Sequence, residues 1–421
     1  MAAGFNSGIN CTRCGACLQL CPVYDITRHE MFSPRGKARL FSDIIPGAVD
    51  ESSFLKDVKV LETLSACLQC GACGSVCPAG VEVDEIVRGV RRCIRQLNRP
   101  GQMLLRGLLK NPGLLSRFAR VFPRLPVESG LILRFLGIMG GWSFDDASMP
   151  VLPEIVSNPA VSRGFGGIRG GGRGFAEGLR IAFFVGCIQN YIYPEVAEAI
   201  ARCLNGAFTM PAAQVCCGMP TFAAGLEDQA RALALLNIRA LEDAGRFDVV
   251  VTGCASCAAM IRRWPCLFED GPDKDAAMMV ASKVREFGEF FVESGAASGL
   301  AGAYAGLVMT YHAPCHQRFA AGGSVRTYGA EEIEGFLRCM DAGYFISTPR
   351  GCCGHGGVFS LRHAGLSKDI FKKRLEVMEN NDVDVVLTTC SGCLLQFRMN
   401  LPEQKDLKAL HIAEVLSGAE L

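Results

Sequence analysis

Up to about residue 98, apolar positions recur with helical spacing. Ser33-Pro34 reads as an N-cap followed by a first-turn proline, opening a helix that runs through Phe41. Val58, Leu61 and Leu64 mark a second helix over Asp57–Leu68, and a third runs from Val83 to Leu97. From 98 to 156 the chain is rich in Leu and Arg, with apolar stretches at Leu104–Leu109, Leu114–Val121 and Leu131–Trp142. A basic, apolar segment of this kind suits a membrane surface or a partner subunit; equally, its helices pack on this protein's own domains. It does not read as a spanning helix, because no run of about eighteen uninterrupted apolar residues occurs and Arg134 breaks the nearest candidate.

Gly164–Gly174 is a flexible linker by composition. As an RGG-like tract it is a single short copy, and it lacks the G-x-G-x-x-G spacing of a dinucleotide fingerprint. From Ile181 onward the pattern becomes α/β. β-branched apolar runs at Ile181–Val185, Asp248–Thr252, Leu307–Tyr311 and Asp384–Thr388 each precede a helix-compatible stretch.

This α/β region repeats itself. Asp248-Val-Val-Val-Thr-Gly-Cys-Ala-Ser-Cys257 is matched 136 residues later by Asp384-Val-Val-Leu-Thr-Thr-Cys-Ser-Gly-Cys393. Cys216-Cys217-Gly218 is matched by Cys352-Cys353-Gly354 at the same offset of 136, which a duplicated domain explains most simply. Cys187 and Cys315 complete the two sets, one being Cys187, Cys216, Cys217, Cys254 and Cys257, the other Cys315, Cys352, Cys353, Cys390 and Cys393. The strand pattern places Cys187, Cys254, Cys315 and Cys390 at the carboxyl ends of strands and at helix N-termini. Open α/β sheets build their sites there, and the local positive potential favours thiolate. Gly218, Gly351 and Gly354 would let the backbone approach a bulky group. Five thiols exceed the four ligands of a cube, so either one is spare or the bound group has an extra or bridging ligand; a metal-free redox pair is the alternative.

Net charge is +1, so no global field draws nucleic acid or acidic substrates. Cysteine is the outlier, with 22 copies grouped in short motifs, a usage that fits metal ligation in a reducing compartment. Met1–Asn10 has neither a basic nor an apolar signal region, which points to the cytoplasm.

The most specific pattern stands near the start. Cys11, Cys14, Cys17, Cys21 and Pro22 spell C-x2-C-x2-C-x3-C-P, and Cys67, Cys70, Cys73, Cys77 and Pro78 repeat it. Three soft thiolates at this spacing wrap one 4Fe–4S cube, while the fourth reaches the other cluster. This assigns Cys11, Cys14, Cys17 and Cys77 to one cluster, and Cys67, Cys70, Cys73 and Cys21 to the other. Zinc accepts C-x2-C pairs but explains neither the eight-fold set nor the two prolines. His312 and His316 flank Cys315, and His355 follows Cys353-Gly354; hydrogen bonding around a metal site is their expected role. Cys93, Cys203, Cys266 and Cys339 read as core residues, and His29, His363 and His411 receive no assignment.

With these motifs in hand, the chain resembles the iron–sulfur subunits of glycolate oxidase and of related lactate dehydrogenases, from Cys11 to about residue 415. Ser33-Pro-Arg-Gly-Lys37 is similar to a stretch following the first cluster motif in the glycolate oxidase branch. The resemblance implies an α + α/β architecture, with a helical two-cluster ferredoxin domain over 1–98, a connector and linker over 99–180, and duplicated CCG domains over 181–300 and 301–421. It further implies two 4Fe–4S clusters and one or two noncubane 4Fe–4S clusters in the CCG domains. The expected function is electron transfer from a flavin-containing hydroxyacid dehydrogenase partner to a membrane quinone or other acceptor, with a site on the inner membrane face as one expected location. No residue is assigned to catalysis, because neither a flavin fingerprint nor a hydroxyacid site with a His base and Arg clamp occurs. Heterodisulfide reductase and the iron–sulfur subunit of anaerobic glycerol-3-phosphate dehydrogenase share the modules, so thiol–disulfide reduction at a CCG cluster is the alternative activity.

Overall fold

The computed structural model describes residues 10–42, 58–96, 160–163, 178–205, 208–295, 304–319, 329–340, 343–402 and 406–418, without the side chains of 58–59, 61–62, 93–96 and 162–163. The apolar connector stretches, the Gly-rich linker and the Cys93 side chain lie outside the described residues. Among the described residues no helix is long and apolar enough to cross a membrane.

The N-terminal unit is helical. Pro34–Ser42 begins where the sequence places it, with Ser33 Oγ accepting the Gly36 N–H at 2.9 Å as an N-cap does. Val83–Gln96 matches the third expected helix. The second helix covers Val58–Ser65, stopping three residues short of expectation. The carbonyls at and just after its end are taken by Arg91, whose guanidinium donates to Ser65 O at 2.8 Å and to Cys67 O at 2.9 Å, and by Lys37, whose Nζ donates to Ala66 O at 2.7 Å. With those acceptors satisfied from outside, the chain can leave the helix here and enter the second cysteine loop. Ala38, Phe41, Leu64, Val83, Ile86, Val87 and Val90 form the small core between these helices.

The remainder is α/β, built as two four-stranded parallel sheets of identical order. The first runs β2-β1-β3-β4, with β1 Ile181–Phe184, β2 Phe208–Thr209, β3 Val249–Thr252 and β4 Val284–Glu286. The second runs β6-β5-β7-β8, with β5 Val308–Tyr311, β6 Tyr344–Phe345, β7 Val385–Thr388 and β8 Lys408–His411. β1 and β3 pair in parallel with Phe183 opposite Val251, and β5 pairs β7 with Tyr311 opposite Leu387. Strands buried on both faces explain why these runs read as continuous rather than alternating: β1, β3 and β7 are buried throughout. In each sheet the chain order reverses between the two central strands, and a crevice forms at such a switch point beyond their carboxyl ends.

The two sheets share one apolar core and meet at their cysteine-bearing ends. Ala255 N–H donates to Thr389 O at 3.1 Å, and His411 Nε2 donates to Gly253 O at 3.0 Å. The helical unit docks on both sheets. Val23, Ala66 and Leu68 pack against Phe359 and Ile370 of the second, Asp25 pairs with Lys373, and Arg91 donates to Ala223 O of the first at 2.7 Å.

Two cysteines expected in the core are on the surface. Cys203 is buried as expected, but Cys266 and Cys339 are exposed. Trp264 and Leu267 take the inward positions of the turn holding Cys266, and Ile333, Leu337 and Met340 those around Cys339.

Candidate iron–sulfur centres

The two N-terminal loops share one backbone shape. Arg13 and Gln69 both have φ +58°, and Gly15 and Gly71 follow at +82° and +76°. A left-handed residue other than glycine costs about 1 kcal/mol, and the same cost at matched positions marks a conformation the loops require. It curls the second run so that its sulfurs converge, and in the first it brings Cys17 near Cys11 and Cys77 while Cys14 stays exposed. Cys21, Cys67, Cys70 and Cys73 line one cavity together with Pro22 and Lys37, so the fourth cysteine of the first run joins the second loop. Burial pushes the Cys73 thiol up, reinforced by Cys67, Asp84 and Cys21. Burial likewise raises Cys17, with Cys11 and Cys77 adding to it. Crowded, buried thiols such as these are a donor set that a cation resolves. N–H groups already face the sulfurs: Val81 N–H donates to Cys77 Sγ at 3.3 Å, and Gln69 Nε2 to Cys67 Sγ at 3.6 Å. The donor type, number and convergence fit 4Fe–4S groups. Cys14 is exposed, so this end opens to solvent.

The five-cysteine sets sit at the switch points. Cys187 opens a helix after β1, and Cys254 is the N-cap of Ala255–Arg263 after β3. In the second sheet Cys315 opens the helix after β5, and Cys390 is the N-cap of Ser391–Asn400 after β7. Cys353 and Cys393 Sγ lie 3.3 Å apart, and Gly354 N–H donates to Cys352 Sγ at 3.3 Å. In the first set Cys216 accepts hydrogen bonds from Cys187 and Cys217, which hold its thiol well down while theirs are pushed up. A cavity of about 120 Å³ is lined by both sets, and Cys254 and Cys390 Sγ are 4.0 Å apart across the junction. The second set also faces the N-terminal unit: Cys70, pushed well up by burial, feels Cys315 next most strongly.

The expected histidines are all beside the second set. His316 donates Nε2–H to Gln69 O at 3.4 Å, and its Nδ1 lies 2.8 Å from Ser256 Oγ, itself 3.3 Å from Cys390 Sγ. It therefore ties the N-terminal unit and both sheets together through hydrogen bonds. His312, His355 and Arg374 also surround the set. Lys37, Arg91, Ser256, Arg318 and Arg374 carry no role in the sequence motifs themselves. Comparison of the two halves at the offset of 136 would have singled out Arg374, which falls on Ile238.

Comparison with known proteins follows the same division. The 4Fe-4S dicluster domain family matches residues 8–81, and the cysteine-rich domain family (CCG) matches residues 181–262 and 309–398. A probable glycolate oxidase iron-sulfur subunit of Bacillus subtilis is 25% identical over 441 residues, spanning 98% of this chain and 94% of its own length. The chain belongs to this family of iron–sulfur subunits. Lactate utilization protein A of Geobacillus kaustophilus is 29% identical over 248 residues, which is 57% of this chain and 99% of that protein. Lactate utilization protein A 2 of Bacillus mycoides is 28% identical with the same coverage. Membership brings 4Fe–4S clusters and association with an oxidoreductase, in agreement with the thiol sets.

Proposed function

We propose that this chain is the electron-transfer subunit of a flavin-dependent 2-hydroxyacid dehydrogenase acting on glycolate or lactate. Cys11, Cys14, Cys17 and Cys77 hold one 4Fe–4S cluster, and Cys21, Cys67, Cys70 and Cys73 the other. The sets completed by Cys187 and by Cys315 hold one further cluster each. A 4Fe–4S group supplies reversible one-electron transfer at a potential set by burial and hydrogen bonds to sulfur. Neighbouring thiols support one order of the sites. Cys17 and Cys73 bring the first two together, Cys70 faces Cys315, and Cys390 meets Cys254. This line of thiols, running from exposed Cys14 into the paired sheets, is the observation that carries the reading. A reduced flavin gives up two electrons, and successive one-electron sites accept them singly. In this reading the chain divides into a dicluster unit (1–98), a connector (99–180) and two CCG units (181–300 and 301–421), with a membrane quinone or another carrier as acceptor.

The test mixes the anaerobic chain with its flavoprotein and adds glycolate or lactate. Bleaching of the iron–sulfur absorbance only when both proteins are present is expected; turnover of lactate by this chain alone would refute the proposal. The contact of Ser256 with His316 and Cys390, beside a cavity open to both sets, favours thiol–disulfide reduction as the second reading. Turnover of a small heterodisulfide with reduced viologen would select it.

A further inference from the structure

The two halves repeat their cysteines but not what surrounds them. At the offset of 136, Met219 falls on His355 and Ile238 on Arg374; aligned on Cys187 and Cys315, Phe184 falls on His312. Phe184, Met219 and Ile238 are buried apolar side chains. Around the second set the same three places carry two imidazoles and a guanidinium.

Each lies beside the set, Arg374 and Arg318 lining one cavity with Cys315 and Cys352. His312 is 1% exposed, and one of its ring nitrogens lies within 4.8 Å of both Cys353 and Cys393 Sγ. His355 Cδ2 lies 3.0 Å from where a Cβ on Gly392 would stand, so the ring fills the space left by the glycine between Cys390 and Cys393. Arg374 is 4% exposed; it donates to Pro349 O and, at 3.0 Å, to Thr348 Oγ1, and its Nε has no partner among the described residues. No carboxylate pairs with it among the described residues, and the acidic groups acting on it are Cys353, Cys352 and Cys393. Arg318 adds a second cation facing Cys315 and Cys352. A buried guanidinium without a carboxylate needs anionic charge nearby, and here the thiolates supply it.

We propose that the second set, completed by Cys315, is the electron-retaining site of the duplicated pair, and that Arg374, His312 and His355 set its reduction potential above that of the first. The inference rests on both sets holding clusters, as proposed above. Reduction adds one negative charge, which a fixed cation and N–H donors stabilise and which Phe184, Met219 and Ile238 at the matching places of the first set do not. One electron passes to this site from the Cys70 side, ultimately from a reduced flavin; no bond forms or breaks.

The experiment is a reductive titration of the full, cluster-loaded chain, followed by electron paramagnetic resonance and accompanied by iron analysis. Arg374→Met is expected to lower the potential of one signal and leave the others in place, while Arg374→Lys restores most of the shift. His355→Met, which copies the first half, is expected to move the same signal in the same direction, and it carries the test if Arg374→Met does not fold. Unmoved potentials at unchanged iron content would overturn the inference alone. A wild-type chain holding only about eight iron atoms, the content of two cubes, would instead overturn the underlying reading that the CCG sets are loaded.

Discussion

Lys37 offers the sharpest perturbation of the N-terminal unit. It is 2% exposed, donates to Ala66 O at 2.7 Å and to Phe32 O at 3.0 Å, and lines the cavity of Cys21, Cys67, Cys70 and Cys73. Lys37→Met keeps the apolar stem but orphans two carbonyls, at about 1–3 kcal/mol each where the group is buried. A net loss of about 3 kcal/mol is therefore expected, since the methionine recovers part of the packing. The charge has a separate effect: Lys37 holds down the Cys21 thiol, opposing the rise caused by burial. Two unit charges about 6 Å apart at an effective dielectric of about 20 interact by about 3 kcal/mol, on the order of 100 mV for one electron, which sets the scale of the expected shift. Thermal unfolding and a reductive titration followed by electron paramagnetic resonance read the two effects separately. Lys37→Met is expected to melt earlier and to make the cluster of Cys21, Cys67, Cys70 and Cys73 harder to reduce, while Lys37→Arg keeps most of the potential. A variant with unaltered melting and potential would refute the assignment of Lys37 as both strut and counter-charge.

Three further outcomes are expected. His411 is held neutral by burial, with its pKa lowered to about 4; Nδ1 accepts from Ala413 N–H while Nε2 donates to Gly253 O. The unfolded chain takes up this proton below about pH 6.5 and the folded chain only near 4, so about 3 kcal/mol of stability, full above pH 6.5, is lost as pH falls between them. Urea midpoints for His411→Gln should fall less steeply over that window, and an unchanged slope would contradict the assignment. Cys21→Ala should give the spectrum of Cys67→Ala, and Cys77→Ala that of Cys11→Ala; a Cys21→Ala spectrum matching Cys11→Ala would undo the crossed pairing. Arg91→Met removes the donor to Ala223, Ser65 and Cys67 carbonyls and should destabilise by about 3 kcal/mol. Hydrogen exchange should rise at the second cysteine loop, and unchanged protection there would count against Arg91 as its clamp.

Much of this architecture was legible because its signals are local. C-x2-C-x2-C-x3-C-P fixes ligand type and convergence over a few residues, and Ser33-Pro34 states a helix start in two. The duplicated sheets were legible from a constant offset, since β1, β3 and β7 are buried on both faces and read as unbroken apolar runs. What the sequence hid depends on distance. The early end of the Val58–Ser65 helix follows from Lys37 and Arg91 reaching in from other helices. Cys266 and Cys339 face solvent because neighbouring side chains fill the core, which hydrophobicity at one position does not reveal. Arg374 and Lys37 are cations in buried places, and composition assigns such residues to the surface. Only their positions relative to the thiols explain them.

The central claim is that four cysteine sets, and not two, hold clusters along one line. Iron and acid-labile sulfide, counted on the anaerobically purified full chain, test it most directly. About sixteen of each per chain are expected from four four-iron clusters. About eight of each would contradict the account, leaving the paired sheets as a docking platform beside a two-cluster domain.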